Sequence, residues 1–107
     1  MKIVTQTAPL VAALLAASAT LPAADLDGAE VFVKKTCIAC HGKDAKTPIL
    51  PIYPKLAGQN PDYAYNQMQD IKSGARSNGQ AAAMKGIMHL VSDEEMRAVA
   101  NWLGTLD

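Results

Sequence analysis

The stretch "TCIACHGKD", residues Thr36 to Asp44, contains both cysteines of the chain and one of its two histidines. Cys37 and Cys40 are three positions apart, and His41 follows the second cysteine directly. Side chains three positions apart lie on the same side of a helical turn. The two thiols are therefore expected to act together, with the imidazole beside them.

Three kinds of site explain this motif poorly. A structural zinc site needs a second pair of ligands at a similar spacing, and only His89 remains as a further soft ligand. A thioredoxin-like dithiol is expected in a βαβ context, whereas this sequence has a helical pattern. A structural disulfide is compatible with a secreted protein, but it gives no role to His41.

Covalent haem attachment is the standard meaning of the pattern C-x-x-C-H. Both thiols would form thioethers with the haem vinyl groups, and the imidazole of His41 would lie directly beneath the iron. The motif therefore predicts one covalent haem c, bound through Cys37 and Cys40, with His41 as an iron ligand.

The N-terminal segment has the pattern of a secretory signal peptide. Lys2 precedes the apolar stretch from Ala8 to Ala17, which leads to small residues and then to a polar sequence. This order is typical of a secretory signal, and the apolar core is short for a membrane span of about 20 residues. We expect cleavage of residues 1–24, no stable membrane insertion afterwards, and a periplasmic domain of residues 25–107. The last residue removed is one of Ala19, Ala23 and Ala24.

The chain of 107 residues has room for one small domain. Residues 25–107 have nine basic and ten acidic side chains, so their formal charge is −1. Nucleic-acid binding needs a basic face, so no nucleic-acid partner is expected. So small a chain usually needs a disulfide, a metal ion or another bound group to stabilise its fold, because it buries too little apolar surface. Phe32 and Trp102 are its only Phe and Trp, so a haem would supply the missing core volume.

The apolar periodicity of residues 25–107 predicts an all-α domain with three main helices and ordered loops. The first helix is predicted from about Asp27 to Cys40. A loop with three prolines in seven residues follows it. The second helix is predicted to begin at Asn60, with Pro61 in its first turn, and to stop near Gly74.

A short helix interrupted at Gly86 is predicted before the last helix. The last helix has the clearest start, because Ser92 and Glu95 form a capping-box pattern. Trp102 is expected to pack this helix against the first one, near Phe32. One apolar stripe at helical spacing faces the core. It consists of Met96, Val99, Ala100 and Leu103.

Two methionines are candidates for the second axial ligand of the iron, since a His/Met pair is common in electron-transfer haem proteins. Met1 is lost with the signal peptide, and Met68 and Met96 have the spacing of core residues inside helices. Met84 and Met88 remain, both between the second helix and the last.

Three stretches resemble a known family: "CIACHG", "YPKLAGQNPDYAYNQMQDIKSGARSNG" and "MKGIMHLVSDEEMRAVANWLGTL". They resemble class I c-type cytochromes, and are most similar to the single-haem domains of the cytochrome c4 and c5 group. The resemblance covers residues 27–106. It implies a cytochrome c fold, with three main helices and ordered loops wrapped around one covalently bound haem.

The resemblance also implies which residues hold the iron. In that group the methionine ligand typically lies about eight residues before the serine that opens the last helix. Met84 has this spacing to Ser92, so we favour Met84 over Met88. A proline carbonyl in the loop after the haem motif holds the histidine ligand, and Pro54 is the best match, with Pro51 second.

Further residues are expected around the haem. Arg76 is a candidate for binding a haem propionate, because its planar fork can contact both carboxylate oxygens. Gln59 and Asn78 are candidates for the same role. The haem edge is expected to be lined by Tyr53, Leu56, Ile71 and Leu90.

The expected function is single-electron transfer without a substrate, so the protein is not expected to be an enzyme. Its partners would be redox proteins, such as cytochrome complexes, a terminal oxidase, or a periplasmic dehydrogenase or reductase, and it would be a monomer or weak dimer. Two alternatives stay open. The chain could be a cytochrome subunit or electron-delivery module of a dehydrogenase or oxidase complex, or a ligand-binding haem protein in which the methionine is weak or absent.

Overall fold

A computed structural model describes residues 25–107, and the expected signal peptide of residues 1–24 lies outside this range. All regular elements within residues 25–107 are helical, as predicted. No helix in this range combines the length and hydropathy needed to cross a membrane. The elements are α1 (Gly28–Lys34), α2 (Ile38–His41), α3 (Pro61–Ser73), α4 (Ala81–Met88) and α5 (Asp93–Gly104).

The chain breaks between α1 and α2, so the prediction of one helix from Asp27 to Cys40 is wrong. Asp27 caps α1, since its carboxylate accepts from the backbone N–H of Ala29 at 3.0 Å. Thr36 then adopts a left-handed conformation with φ of +63°. A right-handed helix cannot continue through such a residue, so α2 begins as a separate helix at Ile38.

The start and stop of α3 are confirmed. The side chain of Asn60 accepts from the backbone N–H of Tyr63 at 3.1 Å, and Pro61 occupies the first helical position. Gly74 ends the helix in a left-handed conformation with φ of +88°, which glycine adopts without the steric penalty of a side chain.

The capping box of α5 is confirmed, whereas the interruption predicted in α4 is wrong. The hydroxyl of Ser92 accepts from the N–H of Glu95 at 3.2 Å, and the Glu95 carboxylate accepts from the N–H of Ser92 at 3.0 Å. The helix α4 continues through Gly86, where a Cβ would meet no atom within 4 Å. A single glycine costs a helix only about 1 kcal/mol, which the packing of α4 on α3 offsets.

The helices α3 and α5 pack against each other at the centre of the domain, and α5 also contacts α1, while α3 also contacts α4. The rings of Phe32 and Trp102 stand 5.1 Å apart, which confirms the predicted contact between the first and last helices. The helices α1 and α5 approach closely at Gly28, where a Cβ would lie 2.6 Å from Cβ of Trp102. The largest fully buried side chains are Phe32, Met88 and Met96.

The segment between α2 and α3 forms a closed loop. The carbonyl oxygen of Ala45 accepts from the N–H groups of Leu56 and Ala57, at 2.9 and 3.0 Å. Ala45 is fully buried and left-handed, with φ of +56°. The loop of residues 45–57 therefore begins and ends at one buried point, next to the motif on α2, as compact Ω-loops do.

Candidate haem-binding site

The cysteine motif lies against a cavity of about 760 Å³. Cys40 and His41 belong to α2, and Cys37 precedes its first residue. All three side chains line the cavity. The short helix therefore brings both thiols and the imidazole to the same wall, as the spacing predicted.

His41 is oriented by the loop that follows it. Its Nδ1 lies 3.0 Å from the carbonyl oxygen of Pro54. A carbonyl can only accept, so Nδ1 carries the proton and donates it, and Nε2 keeps a free lone pair. Burial lowers the pKa of His41, although the bond to Pro54 opposes this shift. The imidazole is therefore neutral, the form that binds a metal ion.

The two cysteines are half-buried thiols and no disulfide joins them in the described residues. Burial raises the pKa of Cys37 to about 11. The Cys37 thiol is therefore protonated at neutral pH before any modification, since the thiolate is the form that buried apolar surroundings disfavour.

Ten of the residues that the sequence proposed around the haem iron and the propionates line this one cavity. They come from the motif, from the closed loop, from the short segment between that loop and α3, from the segment between α3 and α4, and from α4. The ten residues are Cys37, Cys40, His41, Tyr53, Pro54, Leu56, Gln59, Arg76, Asn78 and Met84. Ile71, which was expected at the haem edge, lines it as well.

The expectation for Leu90 is wrong. Its side chain is 65% exposed and does not line the cavity. Leu90 follows the end of α4, and the neighbouring Val91 takes the inward position, being only 3% exposed. A shift of one residue in a turn reverses which side chain faces the core, and spacing alone did not determine it.

Met84 and Met88 both line the cavity, from successive turns of α4. They differ in burial, because Met88 is only 2% exposed and belongs to the core, whereas Met84 is partly buried at its edge. The structure thus brings both candidate methionines to the same cavity as the cysteine motif.

Sequence reasoning missed part of the lining on α3. Ala64, Gln67 and Met68 line the cavity together with Ile71. Their spacing of i, i+3, i+4 and i+7 is that of one helix face, so the periodicity of α3 could have identified them. Gln67 adds a polar group, and its side-chain oxygen accepts from Nη1 of Arg76 at 2.9 Å.

The residues present fit a haem c. The cavity size lies within the roughly 300–1,000 Å³ that is usual for small-molecule and cofactor sites. Two thiols and a pre-oriented neutral imidazole occupy one wall, and a thioether is available from α4. Among the buried side chains of residues 25–107, no nitrogen or oxygen lacks a hydrogen-bond partner.

The comparisons with known proteins agree with this geometry. The family model described as Cytochrome c matches residues 26–107. Cytochrome c-554(548) of Halomonas halodenitrificans is 38% identical over 65 residues, which cover 61% of this chain and 77% of that protein. Cytochrome c4 of Pseudomonas aeruginosa is 39% identical over 69 residues, covering 64% of this chain and 32% of that protein.

A third relative is named thiosulfate dehydrogenase electron acceptor, from Stutzerimonas stutzeri. It is 38% identical over 97 residues, covering 84% of this chain and 42% of that protein. The chain thus spans less than half the length of this relative and of the cytochrome c4 of Pseudomonas aeruginosa. The family match covers all but the first of the described residues, and the chain belongs to the cytochrome c family.

Proposed function

We propose that the chain is a periplasmic single-electron carrier whose haem iron is bound by His41 and Met84, and that it is not itself an enzyme. Membership of the cytochrome c family makes it a carrier of covalently bound haem c, with Cys37 and Cys40 as the attachment pair. The single observation that carries the proposal is that these four side chains line one cavity.

The haem, when bound, supplies an iron that alternates between Fe(II) and Fe(III), and so stores or releases one electron. His41 contributes a neutral imidazole that the carbonyl of Pro54 holds in one orientation. A fixed ring and a dry surrounding reduce the rearrangement that accompanies electron transfer. Buried side chains of α3 and α5, among them Met68, Val99 and Leu103, give the cavity an apolar wall.

The assignment of the second ligand to Met84 is supported by the different burial of the two methionines. Met88 is already packed in the core at 2% exposure, whereas Met84 lies partly exposed at the cavity edge. A thioether sulfur is a soft ligand that favours Fe(II) and raises the reduction potential. Arg76 lines the same cavity and donates from Nη1 to the side-chain oxygen of Gln67, which supports a role for Arg76 in binding a haem carboxylate.

The test uses the exported protein with its haem. Haem retention after acid–acetone extraction measures covalent attachment, and a redox titration followed by absorption measures electron storage. We expect the haem to stay on the unmodified chain, and covalent retention to be weakened or abolished when Cys37 or Cys40 is replaced by Ala. We also expect one reversible one-electron step. Extraction of the haem from the unmodified chain would contradict covalent attachment.

A second candidate function is an electron-delivery module within a dehydrogenase or oxidase complex. Two relatives named thiosulfate dehydrogenase electron acceptor favour it, at 38% and 34% identity. Both are longer than the matched region, which covers 42% and 30% of them. Gel filtration separates the two candidates, since a free carrier elutes as a monomer or weak dimer and a module elutes with its complex.

A further inference from the structure

We propose that the closed loop of residues 45–57 is the docking surface for a redox protein whose own site is apolar and bordered by carboxylates. This inference rests on the proposed function, because it names the surface through which the carrier exchanges its electron. The exposure, the hydrogen bonding and the charge of the loop support it.

The loop exposes three aliphatic side chains within four residues. Ile49 is 61% exposed, Leu50 is 45% exposed and Ile52 is 62% exposed. Ile52 lies at the cavity, but Ile49 and Leu50 do not line it, so a bound haem would leave them uncovered. Single exposed aliphatic residues are ordinary on protein surfaces, whereas a contiguous apolar patch marks an interaction site.

The loop is held rigidly in this exposed arrangement. Its ends are joined at the carbonyl of Ala45, and the N–H of Tyr53 donates to the carbonyl of Leu50 at 3.1 Å. The N–H of Ile49 donates to the carbonyl of Cys40, also at 3.1 Å. A patch that is fixed before binding pays little conformational entropy when a partner docks on it.

Ile49, Leu50 and Ile52 form the aliphatic patch of the loop. The charges around this patch indicate that the partner presents carboxylates to it. Lys43, Lys46 and Lys55 flank the exposed aliphatic residues, and Asp44 is the only acid between residues 43 and 55. The Asp44 carboxylate is occupied by the turn itself, since it accepts from the N–H groups of Lys46 and Thr47, each at 2.9 Å.

This segment is therefore basic on an otherwise acidic protein. Residues 43–55 have a formal charge of +2, whereas residues 25–107 as a whole have −1. The remainder of the domain consequently has −3, so an acidic partner is attracted to this end and repelled elsewhere. Such complementarity steers the encounter and fixes the orientation of docking.

The loop is also hydrogen-bonded to the motif that attaches the haem. The bond from Ile49 to Cys40 connects the patch to an attachment residue of the haem, and Tyr53 and Pro54 continue the same loop into the cavity wall. One electron leaves the reduced cofactor of the partner, which is oxidised, and the haem iron is reduced from Fe(III) to Fe(II). No bond forms or breaks, and no proton has to move.

The experiment measures how fast two reductants reduce the oxidised holoprotein in a stopped-flow instrument. Reduced flavodoxin is the protein probe, because it is acidic and transfers its electron through an exposed flavin edge. Reduced riboflavin is the small-molecule probe, because it needs no docking surface. Two matched pairs of variants are compared, Lys46→Glu with Lys34→Glu and Leu50→Ser with Leu90→Ser. Lys34 and Leu90 are exposed residues outside the loop.

We expect Lys46→Glu to slow reduction by flavodoxin roughly fivefold or more at low ionic strength, and the effect to shrink as salt is added. Leu50→Ser should slow the same reaction roughly threefold at all salt concentrations, since it removes an apolar contact. Lys34→Glu and Leu90→Ser should change it by less than about twofold, and no variant should change the rate with riboflavin.

Equal effects of the two members of each pair would overturn the inference, because net charge or general apolarity would then be responsible. Sedimentation that shows a dimer of the unmodified protein, lost in Leu50→Ser, would also overturn it, since the occupant would be a second copy of the chain. If riboflavin cannot reduce the unmodified holoprotein reversibly, the proposed function itself fails and the inference with it.

Discussion

His41 is prepared for its role by a partner thirteen residues away in the chain. The carbonyl of Pro54 accepts the Nδ1 proton at 3.0 Å, which fixes both the tautomer and the ring orientation. Pro54 is held in turn by the closure of the loop at Ala45. The same loop therefore orients the imidazole on its inner side and exposes the aliphatic patch on its outer side.

Two residues other than glycine adopt left-handed backbone conformations, one on each side of the motif. Thr36 has φ of +63° and Ala45 has φ of +56°. The left-handed region costs such residues about 1–2 kcal/mol each. The surrounding contacts must impose these conformations, and they determine where the motif starts and where the loop closes.

Replacement of Met84 by Ala tests the second iron ligand. We expect the reduction potential to fall by part of the ~0.8 V range that axial ligands control, because loss of the thioether destabilises Fe(II) relative to Fe(III). The absorption band near the red end of the visible that reports iron–thioether ligation should disappear, and the iron should bind carbon monoxide or cyanide.

Met88→Ala is the matched control for this variant. Met88 is 2% exposed, so its truncation should lower the free energy of unfolding by about 2–5 kcal/mol and leave the band in place. Loss of the band in Met88→Ala together with its retention in Met84→Ala would reverse the assignment. Retention in both would mean that the second ligand lies outside α4.

At the scale of the helices, the capping residues in the sequence correctly predicted where α3 and α5 begin. Asn60 and Ser92 cap α3 and α5 through bonds to residues three positions ahead, which sequence spacing alone can identify. The end of α1 was predicted wrongly, because the left-handed Thr36 gives no local signal. Threonine rarely adopts a left-handed conformation, so contacts from the rest of the molecule must impose that conformation at Thr36.

Two glycines inside helices should respond in opposite ways to replacement by Ala. Helix propensity alone predicts that both Gly28→Ala and Gly86→Ala stabilise the protein by up to about 1 kcal/mol. A Cβ at Gly28 would lie 2.6 Å from Cβ of Trp102, whereas a Cβ at Gly86 would meet no atom within 4 Å. Thermal unfolding of the holoproteins should therefore show a loss of about 1–3 kcal/mol for Gly28→Ala and a small gain for Gly86→Ala.

This pair measures how closely α1 and α5 approach each other. Stabilisation by both substitutions would mean that the contact between Gly28 and Trp102 is looser than the structure places it. A loss of stability at Gly86 would mean instead that α4 needs a glycine for a reason outside its packing.

At the scale of the whole molecule, the haem cavity and the hydrophobic core are not separate. Phe32, Met68, Val99 and Leu103 belong to the buried core and also line the cavity. The cavity of about 760 Å³ thus lies between the same helices that hold the domain together. Filling it adds apolar contacts to α3, α4 and α5 at once.

The haem-free chain, produced as the Cys37→Ala/Cys40→Ala double variant without haem, should be largely unfolded or molten. A domain of this size buries little apolar surface, and an empty cavity in its core removes further apolar contacts. We expect the near-ultraviolet circular dichroism of tertiary packing to be lost, with weak or absent cooperativity on heating. A sharp, native-like thermal transition of this variant would contradict the dependence of the fold on the haem.

Several features of this protein were determined by the sequence alone because they depend on residues that are neighbours in the chain. The spacing of Cys37, Cys40 and His41 identified the cofactor, and the capping pairs identified two helix starts. The all-α class followed from apolar periodicity. These signals act over three to four residues, a distance that a linear sequence displays directly.

The tertiary structure alone decided which distant residues meet. It separated α1 from α2 at Thr36, turned Val91 inward instead of Leu90, and placed a face of α3 on the cavity. It also closed the loop of residues 45–57, so that the patch is exposed beside the haem motif. Each of these outcomes depends on packing between segments far apart in the chain, where small differences in contact outweigh local preference.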